Sequence, residues 1–154
     1  MKRFLSEEEC ALVSGAVAEA EHSTSGEIRI HIDSRCPGEP KERALRTFHA
    51  LKMERTAARN AVLIYVSPSD RKLAVLGDKG INDVVPDGFW KDVCGLLSSR
   101  FASGQFVGGL CETVSLIGSK LKAYFPYADD DVNELPDEVT FGDIAGDDAG
   151  ESGL

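Results

Sequence analysis

The sequence lacks closely spaced cysteines and long apolar runs. Its four cysteines are far apart and form no Cys-x-x-Cys pair, which argues against a zinc site and against a disulfide-stapled secreted fold. No run approaches the roughly 18 to 20 apolar residues needed to cross a bilayer. The first residues turn acidic at Glu7 before any signal-peptide apolar core can form. These absences predict a cytoplasmic protein with no membrane span.

Basic residues are missing from the C-terminal segment. Residues 129–154 contain ten acidic residues and no Lys or Arg, so they account for the net charge of −9. The preceding residues hold 17 basic and 16 acidic side chains (26 minus 10), a net charge of +1. Nucleic-acid binding would require a basic patch or stripe. The charge distribution therefore argues against a nucleic-acid partner.

The change in composition predicts two parts of the chain. Residues 1–128 are long enough to bury a core and form one α/β domain. Residues 129–154 are predicted to be an acidic C-terminal arm followed by a tail. Within this segment, residues 133–141 are expected to dock as a short ordered arm, and residues 142–154 have the composition of a disordered tail.

Apolar residues at helical spacing predict helices on both sides of the strand-rich region. The first helix begins at Ser6, which has capping-box spacing to Glu9. The predicted helices cover residues 6–21, 41–55, 86–101 and 105–124. Aromatic side chains at helical spacing usually pack into a core. The predicted core anchors are Phe89, Trp90, Phe101 and Phe106.

Three segments have strand character. Residues 27–33 alternate polar and apolar side chains, which predicts a strand with one buried face. His31 falls on its polar face, where it would be solvated or face a partner. Residues 61–66 are apolar throughout, as in a central strand covered on both faces. Residues 71–76 follow after a short turn. This order predicts a parallel first pair and an antiparallel third strand, in a three-layer α/β/α sandwich with a mixed, twisted central sheet.

Oxygen-bearing side chains converge on one edge of this predicted sheet. The third strand runs into a glycine-bracketed turn, Gly-Asp-Lys-Gly, which contains Asp78 and is followed by Asp83. Glu27 and Asn60 begin the two parallel strands and belong to the same edge. Carboxylate and amide oxygens are the ligands that Ca²⁺ and Mg²⁺ prefer. The alternative is that these residues only cap helices and shape turns, as Asp and Asn commonly do.

Other reaction types have less support in the sequence. The glycine-bracketed turn lacks the spacing of a Walker loop, although Lys79 could still offset a phosphate charge. His22, His31 and His49 form no ligand pair, and Ser67 and Asp70 belong to the opposite edge of the sheet, so a Ser-His-Asp triad is not indicated. Cys36 lies beside Arg35 in a loop and is either an inert or a reactive thiol.

Three segments in this order and spacing resemble the TPM domain family. They are Thr-Ser-Gly-Glu-Ile at residues 24–28, Arg-Asn-Ala-Val-Leu-Ile-Tyr at residues 59–65 and Arg-Lys-Leu-Ala-Val-Leu-Gly-Asp-Lys-Gly-Ile at residues 71–81. The resemblance covers about residues 4–141 and is to short, stand-alone bacterial members. The family also includes thylakoid proteins linked to photosystem II repair, one of them described as an acid phosphatase.

The resemblance implies a mixed-sheet α/β/α sandwich and a divalent-metal site, calcium included, near the loop after the third strand. By position, Asp78 and Asp83 would be the first ligands. Asn60 stands where family members often have Asp, which would make the site less charged. Many relatives carry a signal peptide and a transmembrane helix, and this sequence shows neither.

Three functional hypotheses follow. The first is a soluble TPM-domain protein that binds Ca²⁺ or Mg²⁺ and serves a partner protein through its acidic arm. The second is a metal-assisted acid phosphatase acting on phosphomonoesters, for which no nucleophile or histidine base is evident. The third is a structural or regulatory interaction protein without a functional metal. The sequence leaves open whether the protein is an enzyme, which metal and partner it binds, and its oligomeric state.

Overall fold

The computed structural model describes residues 5–126 and 139–142. In chain order the elements are α1 (Glu7–Glu21), β1 (Glu27–Asp33), α2 (Pro40–Ala50), a 3-10 turn (Met53–Arg55), β2 (Ala61–Ser67), β3 (Lys72–Gly77), α3 (Lys79–Asn82), α4 (Phe89–Ala102), α5 (Phe106–Tyr124) and β4 (Thr140–Gly142).

The strands form one mixed sheet in the order β3-β2-β1-β4. β1 pairs parallel with β2 and places Glu27 opposite Ala61, whereas β3 pairs antiparallel with β2. One core cluster joins α1, α4 and α5 to one face of the sheet, and a second joins α2 to the other face. The predicted α/β class, the three layers and the mixed sheet are confirmed.

Both faces of β1 are buried, in contrast to the prediction of one buried and one solvated face. Its three isoleucines pack into the larger core, and every polar residue between them is also buried. The reason is the layered fold, because helices pack on both faces of the sheet and β1 also lies between β2 and β4. His31 is 1% exposed, so its predicted solvated position is wrong.

The helix boundaries follow from local backbone chemistry. α1 begins with the predicted capping box, in which the Glu9 amide donates to Ser6 Oγ at 3.1 Å and the Ser6 amide donates to Glu9 Oε1 at 2.8 Å. α2 ends at Ala50, five residues earlier than predicted, because Lys52 takes a left-handed conformation (φ 58°) before the 3-10 turn. None of the helices in the described ranges has the length and apolar character to span a bilayer.

A short strand from the acidic arm completes the sheet. β4 pairs parallel with the end of β1 and places Thr140 opposite His31. Gly142, predicted to open the tail, is instead the buried last residue of β4, and a β-carbon there would overlap Asp33 and His31. Residues 127–138 and 143–154 lie outside the described residues. The boundary at residue 128 and the disordered tail therefore stay predictions.

Gly80 lets α3 lie directly against the loop that precedes β2. Its amide donates to the Arg59 carbonyl oxygen at 2.7 Å, and a β-carbon would overlap the carbonyl oxygens of Ala58 and Arg59. We expect Gly80→Ala to lower the free energy of unfolding by about 1–3 kcal/mol, because the backbone must move to make room. Urea denaturation would measure the change.

Gly15 provides the matched control for this prediction. It lies inside α1, and a β-carbon there would meet no other atom within 4 Å. Gly15→Ala should raise the free energy of unfolding by about 0.5–1 kcal/mol, because alanine is the better helix former. Equal effects of the two substitutions would contradict the close contact at Gly80.

Candidate functional site at the edge of the sheet

The starts of β1 and β2 and the end of β3 lie together at one edge of the sheet, called here the Asp78 edge. The Asp78 amide donates to the Ala61 carbonyl oxygen at 2.9 Å, and the Glu27 amide donates to the Asn60 carbonyl oxygen at 3.5 Å. Strand pairing thereby brings the backbones of Glu27, Asn60 and Asp78 to the same place. This placement agrees with the topology on which the site prediction depends.

The Asp78 carboxylate is buried and held by several donors. Asp78 is the N-cap of α3, and its Oδ1 accepts the Lys79 amide at 2.8 Å. The Arg59 guanidinium binds both oxygens, with Nε to Oδ2 at 2.7 Å and Nη2 to Oδ1 at 2.9 Å. The hydrogen bonds to Asp78 raise the pKa of Arg59 above its ordinary value. The side chain of Asp78 is 7% exposed, whereas that of Arg59 is 48% exposed.

Asp83 belongs to the other end of α3. It is the C-cap of that helix, and its carboxylate pairs with Lys79 Nζ at 3.3 Å on the surface. Its side chain is 63% exposed. A single helical turn therefore separates the two carboxylates into two ion pairs, one with a buried carboxylate and one on the surface.

Glu27 and Asn60 are buried at the Asp78 edge. The backbone amide of Asn60 donates to Thr56 Oγ1 at 3.2 Å, and its side-chain Nδ2 donates to Ser25 Oγ at 3.5 Å. Glu27 is 2% exposed and also has a polar interaction. The oxygens of both side chains are of the type that binds hard cations.

The oxygen atoms at this edge are of the type that binds a hard cation. Those of Asp78 and Asp83, however, are already in ion pairs with Arg59 and Lys79. Over residues 5–126 and 139–142 there is no group of three or more His, Cys, Asp or Glu side chains placed to hold a metal ion. Both oxygens of Asp78 already accept hydrogen bonds from Arg59. A divalent ion at Asp78 would have to replace that guanidinium.

A second polar cluster, not predicted from the sequence, lies at the opposite end of β1. Asp33 Oδ1 is 2.8 Å from His31 Nε2, and Asp33 Oδ2 accepts the Tyr65 hydroxyl at 2.6 Å. Arg43 lies 3.7 Å from the same carboxylate, and His31 Nδ1 is 2.7 Å from Thr140 Oγ1. The only sequence signal was the spacing of His31 and Asp33 on one face of a strand.

Burial and hydrogen bonding shift the pKa values of Asp33 and Tyr65 in this second cluster in opposite directions. Burial raises the pKa of Asp33, but the hydrogen bonds from His31 and Tyr65 outweigh it, so the net pKa lies below its ordinary value. Burial, reinforced by Asp33, raises the pKa of Tyr65 far above its ordinary value. Burial also raises the pKa of the Cys36 thiol, which favours the inert thiol over the reactive one.

Comparisons with known proteins agree on one family. The model of the TPM domain family matches residues 1–120. The NMR structure of the BA42 protein from the psychrophilic bacterium Bizionia argentinensis is 40% identical, with a TM-score of 0.86 over 92% of this chain and 98% of that chain. No functionally curated protein matches the chain.

Two further solved structures share the fold at lower identity. The N-terminal domain of cg2496 from Corynebacterium glutamicum is 13% identical, with a TM-score of 0.61 over 77% of this chain and 74% of that chain. The N-terminal domain of a protein from P. gingivalis is 19% identical, with a TM-score of 0.62 over 79% and 78%. At this identity the likeness shows the fold alone.

The lowered pKa of Asp33 predicts an acid-dependent stability contribution. A carboxylate whose folded pKa is depressed stabilises the fold above its unfolded pKa, about 3.9, and loses that effect as pH falls through the folded pKa. We expect Asp33→Asn to cost about 2–4 kcal/mol at pH 7, because it breaks a buried charged network. Urea denaturation across pH 3–7 should show the difference from wild type shrinking below about pH 4.

Asp83→Asn is the control for this experiment, because the Asp83 side chain is exposed. Its effect on unfolding should stay small at every pH. A deficit in Asp33→Asn that does not change down to pH 3 would show that the carboxylate charge of Asp33 makes no contribution.

Proposed function

The chain belongs to the TPM domain family, and on that premise we propose that it is a binding module that takes up Ca²⁺ or Mg²⁺ at the Asp78 edge. The observation that carries this proposal is a nearly buried carboxylate paired with a half-exposed cation. Asp78 is fixed by its place at the end of β3, whereas the Arg59 side chain is half exposed. Replacing the guanidinium by an ion leaves the backbone in place.

The neighbouring oxygens support the same proposal. Asn60 and Glu27 lie at the Asp78 edge, and backbone carbonyls and water would complete a hard-cation coordination sphere. Asp83 and Lys79 form the nearby exposed pair. Asp83 would join only after leaving Lys79, so we expect Asp78 to contribute most to binding and Asp83 less.

Cation uptake at this edge would change its charge, which supports a regulatory role. The bound ion would neutralise Asp78 and release the Arg59 guanidinium to solvent, so the Asp78 edge would become more positive. A more positive surface attracts acidic partners. We propose that this exchange of cations alters the contact with a partner protein. In this proposal the acidic segment 129–154 takes part in that contact.

A metal-assisted phosphatase is the second candidate, and the observation that favours it is the exposed cationic pair at the same edge. The Arg59 and Lys79 side chains are 48% and 74% exposed beside Asp78. Released from their carboxylates, they would hold the oxygens of a phosphoryl group. A bound divalent ion would supply Lewis-acid polarisation there.

Calorimetric titration of metal-free protein with Ca²⁺ and with Mg²⁺ tests the first candidate. We expect Asp78→Asn to weaken binding by about tenfold or more, because it removes a charged ligand, and Asp83→Asn to weaken it less. Asn caps a helix as well as Asp does, so Asp78→Asn should remain folded. Arg59→Gly should strengthen binding by a few-fold, because it removes the competing cation. Glycine also suits the left-handed backbone of Arg59 (φ 53°).

Arg71→Gly is the matched control for Arg59→Gly. Arg71 is also left-handed (φ 55°) and also carries one positive charge, but it lies at the other end of the sheet. It should leave cation binding unchanged. Absence of binding to wild type, or equal binding by wild type and Asp78→Asn, would rule out the Asp78 site.

Hydrolysis of p-nitrophenyl phosphate by the same proteins tests the second candidate. A phosphatase that works at the Asp78 edge should need added metal and lose most of its activity in Asp78→Asn. Activity that is the same in wild type, Asp78→Asn and Asp83→Asn would belong to another site or to a contaminant.

A further inference from the structure

The C-terminal strand β4 is attached to the sheet at the polar cluster of β1. Thr140 lies opposite His31, and Gly142 lies opposite Asp33, in the parallel register of the two strands. The Ser34 amide donates to the Gly142 carbonyl oxygen at 3.0 Å. A β-carbon at Gly142 would overlap the Asp33 carboxylate and would come within 2.9 Å of His31 Nε2. The backbone of β4 therefore lies directly over the pair that His31 and Asp33 form.

The Thr140 hydroxyl determines the role of one ring nitrogen of His31. A threonine hydroxyl has one proton to donate, and a carbonyl oxygen can only accept. Thr140 Oγ1 donates to the Ile30 carbonyl oxygen at 3.3 Å. His31 Nδ1 lies 2.7 Å from the same Oγ1. Because the hydroxyl proton is already used, Nδ1 is the donor in this contact.

The other ring nitrogen of His31 faces an ionised carboxylate. His31 Nε2 lies 2.8 Å from Asp33 Oδ1, and Asp33 Oδ2 accepts the Tyr65 hydroxyl at 2.6 Å. The hydrogen bonds from His31 and Tyr65 outweigh burial and hold the pKa of Asp33 below its ordinary value. At pH 7 the carboxylate therefore has no proton to donate. Both ring nitrogens of His31 thus face hydrogen-bond acceptors.

Charged groups around this pair act in both directions. The titratable side chains near it, besides the pair itself, come from β1, α2, β2 and the loop after β1 and are Arg29, Arg43, Tyr65 and Cys36. The two arginines are positive and oppose a second proton on His31. The tyrosine and the cysteine stay neutral, because burial raises the pKa of each. β4 itself carries no charged side chain. The groups that favour a cationic ring are therefore Asp33 and Thr140, and only Thr140 leaves the ring when β4 detaches.

We propose that His31 is a proton-dependent latch that holds β4 on the sheet. With a proton on each nitrogen, the ring donates to Asp33 and to Thr140 and so joins the two strands. Histidine is the side chain that most readily changes charge near neutral pH. Loss of one ring proton as pH rises leaves one of the two contacts without a donor, and β4 is then held less tightly. By linkage, docking of β4 and binding of the second ring proton favour each other.

Release of the latch would uncover the edge of β1 from His31 to Asp33. This edge lies at the opposite end of β1 from Glu27 and the Asp78 edge. The latch needs no metal ion and does not depend on the cation site proposed there.

NMR spectroscopy of the metal-free full chain tests the latch. Ring ¹⁵N spectra report the protons on His31, and hydrogen exchange of the Ser34 amide reports the docking of β4. Where Ser34 is protected, we expect both ring nitrogens of His31 to be protonated. When His31 loses a proton, the protection factor of Ser34, corrected for the intrinsic exchange rate, should fall by about tenfold. A singly protonated ring with full protection of Ser34, or no protection of Ser34 at any pH, would overturn the proposal.

His22 is the internal control in the same spectra. It is exposed and lies at the end of α1. Its titration should leave the protection of the Ser34 amide unchanged. A Ser34 protection factor that follows His22 instead of His31 would contradict the latch.

Thr140→Val and Thr140→Ser form a matched pair of variants. Valine keeps the shape of threonine but removes the acceptor, so His31 should release its second proton about one pH unit lower than in wild type, a tenfold loss of proton affinity. Serine keeps the hydroxyl and should leave the titration of His31 unchanged. Equal titration of His31 in the two variants would overturn the latch. Thr140→Val should keep the Ca²⁺ and Mg²⁺ response of wild type, so failure of the latch is distinguishable from failure of the cation site.

Discussion

The complete burial of the parallel pair β1 and β2 is the constraint on which the rest of the structure depends. The two strands lie inside the sheet, with helices on both faces, and every residue in each strand is buried. β2 meets this constraint mainly with apolar side chains. β1 carries charged and polar ones, and a buried charge is costly unless it is paired. Asp33 therefore lies among His31, Tyr65 and Arg43, and β4 covers the pair that His31 and Asp33 form.

The buried carboxylates at the two ends of the sheet are neutralised in different ways. At the Asp78 edge, the buried carboxylate is neutralised by an arginine whose side chain remains half exposed. At the end that bears Asp33, the carboxylate is enclosed by donors that are mostly buried. The first arrangement leaves the cationic partner accessible to solvent, whereas the second keeps the ion pair and its hydrogen bonds inside the protein. The same type of residue is thus a candidate ligand at one end and a structural group at the other.

Among the described residues other than glycine, three have a left-handed backbone, and all three are basic. Lys52, Arg59 and Arg71 all have positive φ and all precede a turn or strand start. Glycine or asparagine would meet the backbone requirement more easily. Arg59 uses its side chain to pair with Asp78. At Arg59 the strained backbone is thereby associated with a charge in a fixed position, which is common at functional sites.

Periodicity and local chemistry in the sequence determined the four long helices, the first three strands and their pairing directions, and three sequence segments indicated the family. They did not predict α3 or β4. The capping box at Ser6, the apolar run in β2 and the break near Gly104 are local signals, and a local signal depends only on neighbouring residues. Tertiary structure alone decided the burial of the polar face of β1 and the pairing of Arg59 with Asp78. These depend on which helices cover the sheet and on where loops meet, and residues far apart in sequence supply both. The sequence pattern therefore located the Asp78 edge, but it did not show that the Asp78 carboxylate is already paired with the Arg59 guanidinium.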